Sequence, residues 1–250
     1  MTELMDPLAA AFRHEGTNDQ AVVLVHGFTG VPSHFRPLAA ALNQAGYTVV
    51  VPRLAGHGTS MEHMEETGPA DWIASAREAV AEVSSHKRVH IGGLSMGGLI
   101  SLILAGEVGA ATVTTINSPV VVRDKTLYAA PLGRFLLKKV MWPNADVPDL
   151  DDEVRPYWLT YPGFYTNNAV GLLSIGRRAV LSARKLEVPS LVIQSRTDES
   201  VSPRSARILK RLLGEECDLV WLENSLHVAV LDRERHRITA AMLERFRDTP

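Results

Sequence analysis

Ser95 stands in Gly93-Leu94-Ser95-Met96-Gly97, a G-x-S-x-G pentapeptide. The run at 88–92 reads as a strand and 96–107 as a helix, so the serine falls in a strand-to-helix turn. Such a turn imposes strained backbone angles on the serine. It also brings the residues two before and two after it so close that side chains would clash, which accounts for Gly93 and Gly97. The serine Oγ is then exposed at a helix N-terminus, where outward-pointing N–H groups favour negative charge. These are the requirements of a nucleophile. The alternative is a glycine-rich turn that only packs closely. A phosphate-cradling loop fits worse, because neither G-x-x-x-x-G-K-[ST] nor G-x-G-x-x-G occurs.

Serine is a weak nucleophile at neutral pH and needs a base, which in turn needs an orienting acid. Behind a turn of this kind they follow in the order serine, acid, histidine. Two histidines lie downstream of Ser95. His236, in the charged helical run DRERHR, is expected to be solvated. His227, in NSLHVAVLD, follows the strand-like CDLVWLE and so sits at a strand's carboxyl end, where a base is needed; capping the last helix is its alternative role. Asp198 directly follows SLVIQSRT and is the preferred acid. Asp124, beyond the strand ending near Ile116, and the adjacent Glu199 remain as alternatives. Asp146, Asp149, Asp151 and Asp152 read as surface charges.

An acyl-transfer site also needs donors for an oxyanion. One is expected from the N–H of Met96, the residue after the nucleophile, and one from the N–H of Phe28 in HGFTG, the loop after the first clear strand. A simple strand-terminating turn is the alternative for HGFTG. A second cluster, RLAGHGTS, holds His57, which precedes Ser95 and is expected to brace the loops rather than act as base. No H-E-x-x-H, paired C-x-x-C or other ligand spacing occurs, so neither a metal nor another cofactor is expected. Cys217 opens a strand and reads as a small core residue.

These side chains need a scaffold that delivers them to one place. Apolar runs such as AVVLVHG, YTVVVPR, RVHIGG, ATVTTINS, SLVIQS and CDLVWLE alternate with helical segments at 34–45, 70–85, 96–107, 203–213 and 232–247. On 34–45, Leu38, Ala41, Leu42 and Ala45 share a face; on 70–85, Trp72, Ile73, Ala76 and Val80 do. This alternation predicts an α/β architecture, a mainly parallel sheet with helices on both faces. Ligands then bind at the carboxyl ends of the strands.

The alternation breaks between about 119 and 187, where Pro131, Pro143, Pro148, Pro156, Pro162 and the acidic run DLDDE occur. This stretch holds eight of the chain's fifteen aromatics, enough to build either a small core of its own or an apolar wall over a pocket. The expected division is a core of 1–118 and 187–250 with a helical cap at 119–186. Trp142, Trp158, Tyr161 and Phe164 are its candidate substrate contacts. Within it, LLKKVMWP offers Lys138, Lys139 and Trp142 for at most transient contact with a lipid surface.

The whole chain of 250 residues carries a net charge of −2, which gives no field to attract nucleic acid. No apolar run reaches the roughly 18 residues of a membrane helix. One cysteine forms no intrachain disulfide, and the N-terminal MTELMDPLAA lacks the pattern of a secretory signal, so a cytoplasmic protein is expected.

Taken together, LVHGFTG, AGYTVVVPRLAGHGTSMEHMEETGPADW, GLSMGG, SRTDESVSP and NSLHVAVLD resemble the α/β-hydrolase fold, and more narrowly small bacterial carboxylesterases and monoacylglycerol lipases. The resemblance covers about 20–118 and 187–247. It implies Ser95 as nucleophile, Asp198 as acid, His227 as base, and Phe28 and Met96 as oxyanion donors. The implied substrate is a small-molecule acyl ester or monoacylglycerol. A carbon–carbon bond hydrolase, a thioesterase or a non-catalytic ligand receptor are the other uses of such a scaffold.

Overall fold

The computed structural model describes residues 3–142 and 148–249; Pro143 and Asp146 lie outside the described residues. Among the described residues there are nine strands: β1 (Phe12–His14), β2 (Gln20–Val25), β3 (Thr48–Val51), β4 (Arg88–Leu94), β5 (Thr112–Ile116), β6 (Lys139–Met141), β7 (Gly163–Tyr165), β8 (Ser190–Ser195) and β9 (Cys217–Leu222). Seven of them form one sheet in the order β1-β3-β2-β4-β5-β8-β9. Every pairing in it is parallel except that of β1 with β3. The helices are α1 (Arg36–Gln44), α2 (Met61–Glu65), α3 (Pro69–Ala81), α4 (Met96–Val108), α5 (Ala130–Gly133), α6 (Thr166–Ala183), α7 (Arg204–Leu213) and α8 (Arg235–Arg247).

The near-continuous apolar strands follow from burial on both faces. Side chains alternate along β2: Ala21, Val23 and Val25 enter one core, with Trp72 of α3, Leu99 of α4 and Leu209 of α7. Val22 and Leu24 enter the other, with Leu38 and Leu42 of α1 and Met242 and Phe246 of α8. This sheet brings the carboxyl ends of β2, β4, β5, β8 and β9 to one edge, and the loops leaving those ends carry the site.

One sequence expectation needs correction. On α1 the buried face is Leu38, Ala39 and Leu42, while Ala45 is exposed, because the helix ends at Gln44 and Ala45 is its C-cap. The stretch 119–186, expected as a helical cap, holds the short helix α5, the antiparallel pair β6–β7 and the long helix α6 among its described residues. Its long helix, α6, sends Ile175, Ala179 and Ala183 into the core that holds Leu99 and Trp72. A side chain at Gly171 would press on Trp72 and Pro69, 3.2 Å away. By packing, α6 therefore joins the layer of α3 and α4. What stands over the strand ends, the described residues of 123–142 and 148–165, is built from short helical turns and the antiparallel pair β6–β7.

Candidate active site

The strand-to-helix turn has the geometry its glycines imply. Ser95 adopts φ 55° and ψ −121°, a region that costs a non-glycine residue energy and that clusters at functional sites. A Cβ on Gly93 would overlap the backbone of Gly97, and one on Gly97 would overlap the carbonyl of Val25 in β2. Gly98 is needed too, because a Cβ there would overlap Ser118 Oγ. Gly92 meets its neighbours, Met242 and Thr114, no closer than 3.4 Å, so ordinary packing does not require a glycine there.

His227 leaves the loop after β9 and Asp198 the loop after β8, and their side chains converge on Ser95. His227 Nε2 lies 3.0 Å from Ser95 Oγ, and His227 Nδ1 lies 2.9 Å from Asp198 Oδ2. With Asp198 ionised, Nδ1–H donates to the carboxylate and Nε2 is left to accept the serine proton. Asp198 is fully buried. Its carboxylate is satisfied by the N–H groups of Ser200 and Val201, at 2.8 and 2.7 Å to Oδ1. Burial pushes the His227 imidazole down, but the charge and hydrogen bond of Asp198, with help from Glu199, outweigh it and hold the pKa above the ordinary histidine value.

The loop after β2 lies directly on the nucleophile: a Cβ at Gly27 would stand 3.2 Å from that of Ser95. The Phe28 peptide follows from there, and Met96, the first residue of α4, has an N–H that the helix itself leaves without a partner. Met96 thus directly follows Ser95, and Phe28 directly follows the glycine that lies against it. The loop is held on two sides. His26 Nε2 accepts from Leu54 N at 3.1 Å, which leaves the proton on Nδ1 to donate to Gly27 O at 3.0 Å. Thr29 (φ 61°) offers its carbonyl to the N–H of Tyr161 and the hydroxyl of Thr160, both at 3.2 Å.

The other candidates separate from the triad. His57 is buried, donates Nδ1–H to Ala55 O at 3.0 Å and meets Trp72 edge-on, with burial pushing it down to about 4. Asp124 turns its carboxylate onto Thr126 N, 2.9 Å away, and is exposed. Glu199 does reach the base, but through the backbone: its carboxylate accepts from His227 N at 3.0 Å. His236 is exposed. Asp149 and Asp151 pair with Arg233 and Arg235 at the surface, and Asp152 with Arg155. Cys217 is buried, with its thiol pushed up to about 11.

The four aromatic candidates divide. Phe164 sits edge-on to Phe28 at 5.4 Å between centroids, with Trp142 tilted against it at 4.9 Å. This row leads to the loop after β2. Trp158 instead stacks on His34 at 5.8 Å. The Tyr161 hydroxyl is committed to the backbone, donating to Gly56 O at 2.8 Å and accepting from Thr59 N at 2.7 Å. It anchors the insertion rather than facing a pocket. Sequence reasoning missed Asn117, at the carboxyl end of β5, whose side chain bonds to the His227 carbonyl at 2.8 Å. The signal was present: Asn117 meets the same positional criterion that selected Asp198.

A model described as the alpha/beta hydrolase family matches residues 22–241. The thermostable monoacylglycerol lipase of Bacillus sp. (strain H-257) is 35% identical over 237 residues, covering 90% of this chain and 89% of that protein. The carboxylesterase of Bacillus subtilis (strain 168) is 27% identical over 220 residues, covering 87% and 88%. A solved structure from work on LipS and LipT, two metagenome-derived lipolytic enzymes, superposes with a TM-score of 0.88 at 31% identity, covering 96% of this chain and 98% of that one. With the sheet order, the strained serine and these matches in hand, the chain belongs to the alpha/beta hydrolase family.

Proposed function

We propose that the protein is a serine carboxylic ester hydrolase acting through an acyl-enzyme, with monoacylglycerols or short- to medium-chain acyl esters as substrates. The observation that carries this reading is the hydrogen-bonded line Ser95–His227–Asp198, set at the carboxyl ends of three strands. In the first half-reaction His227 Nε2 takes the Ser95 proton as Oγ attacks the ester carbonyl carbon. The N–H groups of Phe28 and Met96 hold the oxyanion. The tetrahedral intermediate collapses, the carbon–oxygen bond to the alcohol breaks, and His227 returns its proton to the leaving oxygen. A water molecule then repeats the sequence on the acyl-enzyme, releasing the acid and restoring Ser95. Asp198 keeps Nδ1 protonated and stabilises the transient imidazolium.

The substrate reading is supported by the row Phe28–Phe164–Trp142, an apolar surface beside the oxyanion loop. It is also supported by the relatives, which are named as a monoacylglycerol lipase and a carboxylesterase. Segment 132–142 further suits transient contact with a lipid surface. Leu132, Phe135, Leu136, Leu137 and Met141 are each more than half exposed, and Lys138 and Lys139 lie among them. Among the described residues no helix is long and apolar enough to cross a membrane. The buried thiol Cys217 accords with a cytoplasmic setting. Turnover of p-nitrophenyl esters of increasing chain length, measured beside monoacylglycerols and triacylglycerols, tests the assignment. Preference for monoacylglycerol over simple esters of matched chain length is the expected result. Activity confined to short simple esters removes the monoacylglycerol half of the proposal, and no ester turnover removes all of it.

A further inference from the structure

β5 runs between β4, which ends at Ser95, and β8, which leads to Asp198. The residues at its carboxyl end touch the elements carrying all three members of the triad. The Ile116 carbonyl accepts from Ser95 N at 2.8 Å, and the Asn117 N–H donates to Ile193 O of β8 at 2.9 Å. The Asn117 side chain is fully buried and completes the set. Its Oδ1 accepts from Ser195 N at 2.7 Å, on the way to the acid. Its Nδ2 donates to His227 O at 2.8 Å and to Leu226 O at 3.3 Å.

We propose that Asn117 is a positioning residue for the base, locking the His227 backbone to the strand that leads to the acid, so that Nε2 stays within reach of Ser95 Oγ. The inference rests on the triad reading above. Asn117 itself lies behind the histidine, on its carbonyl side, and acts through it. From the other side the Glu199 carboxylate holds the His227 N–H, so the base is gripped at both ends of its own residue. The residue type is specified twice over. Asn117 adopts φ 47°, in the left-handed region where asparagine is tolerated and most side chains are strained. It must also offer one acceptor and two donors from a short side chain, which among the common residues is the primary amide. Aspartate would keep the acceptor for Ser195 N but set a carboxylate against two carbonyl oxygens.

Two variants test this with dissolved p-nitrophenyl butyrate as substrate. Asn117→Gly preserves the left-handed backbone and removes the side chain. Asn117→Asp keeps the acceptor and removes the donors. For both, kcat is expected to fall by roughly 30- to 100-fold, the order expected for a displacement near 1 Å at a catalytic group, while KM changes less than about threefold. The low-field proton resonance of His227 Nδ1–H is expected to broaden or vanish, with far-ultraviolet circular dichroism unchanged. Should the glycine variant not fold, the aspartate variant carries the same readouts alone. A kcat within about threefold of the parent enzyme and an intact low-field resonance in the folded variants overturn the proposal, as does a change confined to KM. Ser95→Ala runs alongside. If it retains full turnover, the triad reading is what has failed; if it is inactive while the Asn117 variants match the parent, only the positioning role is lost.

Discussion

Around Ser95, the side chains of His227, Asp198 and Asn117 reach their partners at 2.7–3.3 Å, and glycines stand where a methyl group would not fit. Along 128–142, by contrast, large apolar side chains face outward, with Leu132 80%, Phe135 74% and Leu136 93% exposed. The first region is over-determined: several strands and loops fix each group, and one displacement propagates to the others. The second is held through the pairing of β6 with β7 and through Lys139 on Glu62. Chemistry that needs a base within 3 Å of its nucleophile belongs to the first. Adaptation to substrate and surface is open to the second.

The largest effect that tests this contrast is Ser95→Ala, expected to lower kcat/KM on a simple ester by about 10⁴-fold or more. Asp198→Asn is expected to cost on the order of 10³- to 10⁴-fold, because it no longer fixes the His227 tautomer. Asp124→Asn, in the exposed turn at the edge of the insertion, is the control and is expected to leave the rate unchanged. Steady-state rates of the three purified variants decide the matter; comparable losses at Asp124 and Asp198 would contradict the assignment of the acid.

The same substitution placed in each region should separate them by stability. Gly97→Ala drives a methyl group into the Val25 carbonyl and is expected to destabilise the fold by more than about 3 kcal/mol. Gly133→Ala, with nothing within 4 Å of the new atom and a helical backbone already in place, should be neutral or stabilising by up to about 1 kcal/mol. Thermal melts of both variants are the measurement. Equal losses would mean that the insertion is packed as tightly as the elbow.

Exposure in the second region should be felt only where the substrate is an interface. Leu136→Ser removes an apolar side chain that is 93% exposed, so the fold loses little. Hydrolysis of a dissolved short ester is expected to stay within about twofold of the parent. Hydrolysis of monoacylglycerol presented in vesicles is expected to fall about three- to tenfold, as expected if burial of most of a leucine side chain contributed roughly 1 kcal/mol or more to adsorption. Parallel losses on both substrates would place Leu136 in the pocket instead of at a lipid surface.

What the sequence disclosed follows the same division. The strand-end placement of Ser95, Asp198 and His227 was legible because each follows a strand-like apolar run, and the spacing glycines at 93 and 97 record a steric demand local to the turn. Asn117 sits in an equally clear position, in INSP after β5, yet its role depends on partners more than 70 residues away. The Tyr161 hydroxyl meets Thr59, 102 residues distant in sequence, so composition suggested a pocket wall where packing made an anchor. The edge strand β1 was also silent. Three residues with half-exposed, charged FRH carry almost no periodic signal, and only pairing with β3 makes them a strand. The span of α6 falls within the break in the alternation at 119–187, while its small buried residues Ala179 and Ala183 fit it closely to the core.

The smallest effect belongs to Glu199, which lies between the two regions: an exposed residue with its carboxylate on the backbone of the base. Its negative charge is one of the influences that raise the His227 pKa against burial. The base works only when neutral, so kcat/KM should rise with pH through the His227 pKa and reach a plateau above it. Glu199→Gln keeps an oxygen to accept the His227 N–H and removes the charge. The imidazolium is then less stabilised, its pKa falls, and the acid limb of the profile moves to lower pH. At the plateau the rate is expected to stay within about threefold, because the hydrogen bond that orients the backbone survives. A pH–rate profile of parent and variant on one dissolved ester is sufficient. A shift of the limb to higher pH would mean that Glu199 acts on His227 in the opposite sense. An unchanged limb would mean that solvent screens its charge completely and that its contribution is the backbone contact alone.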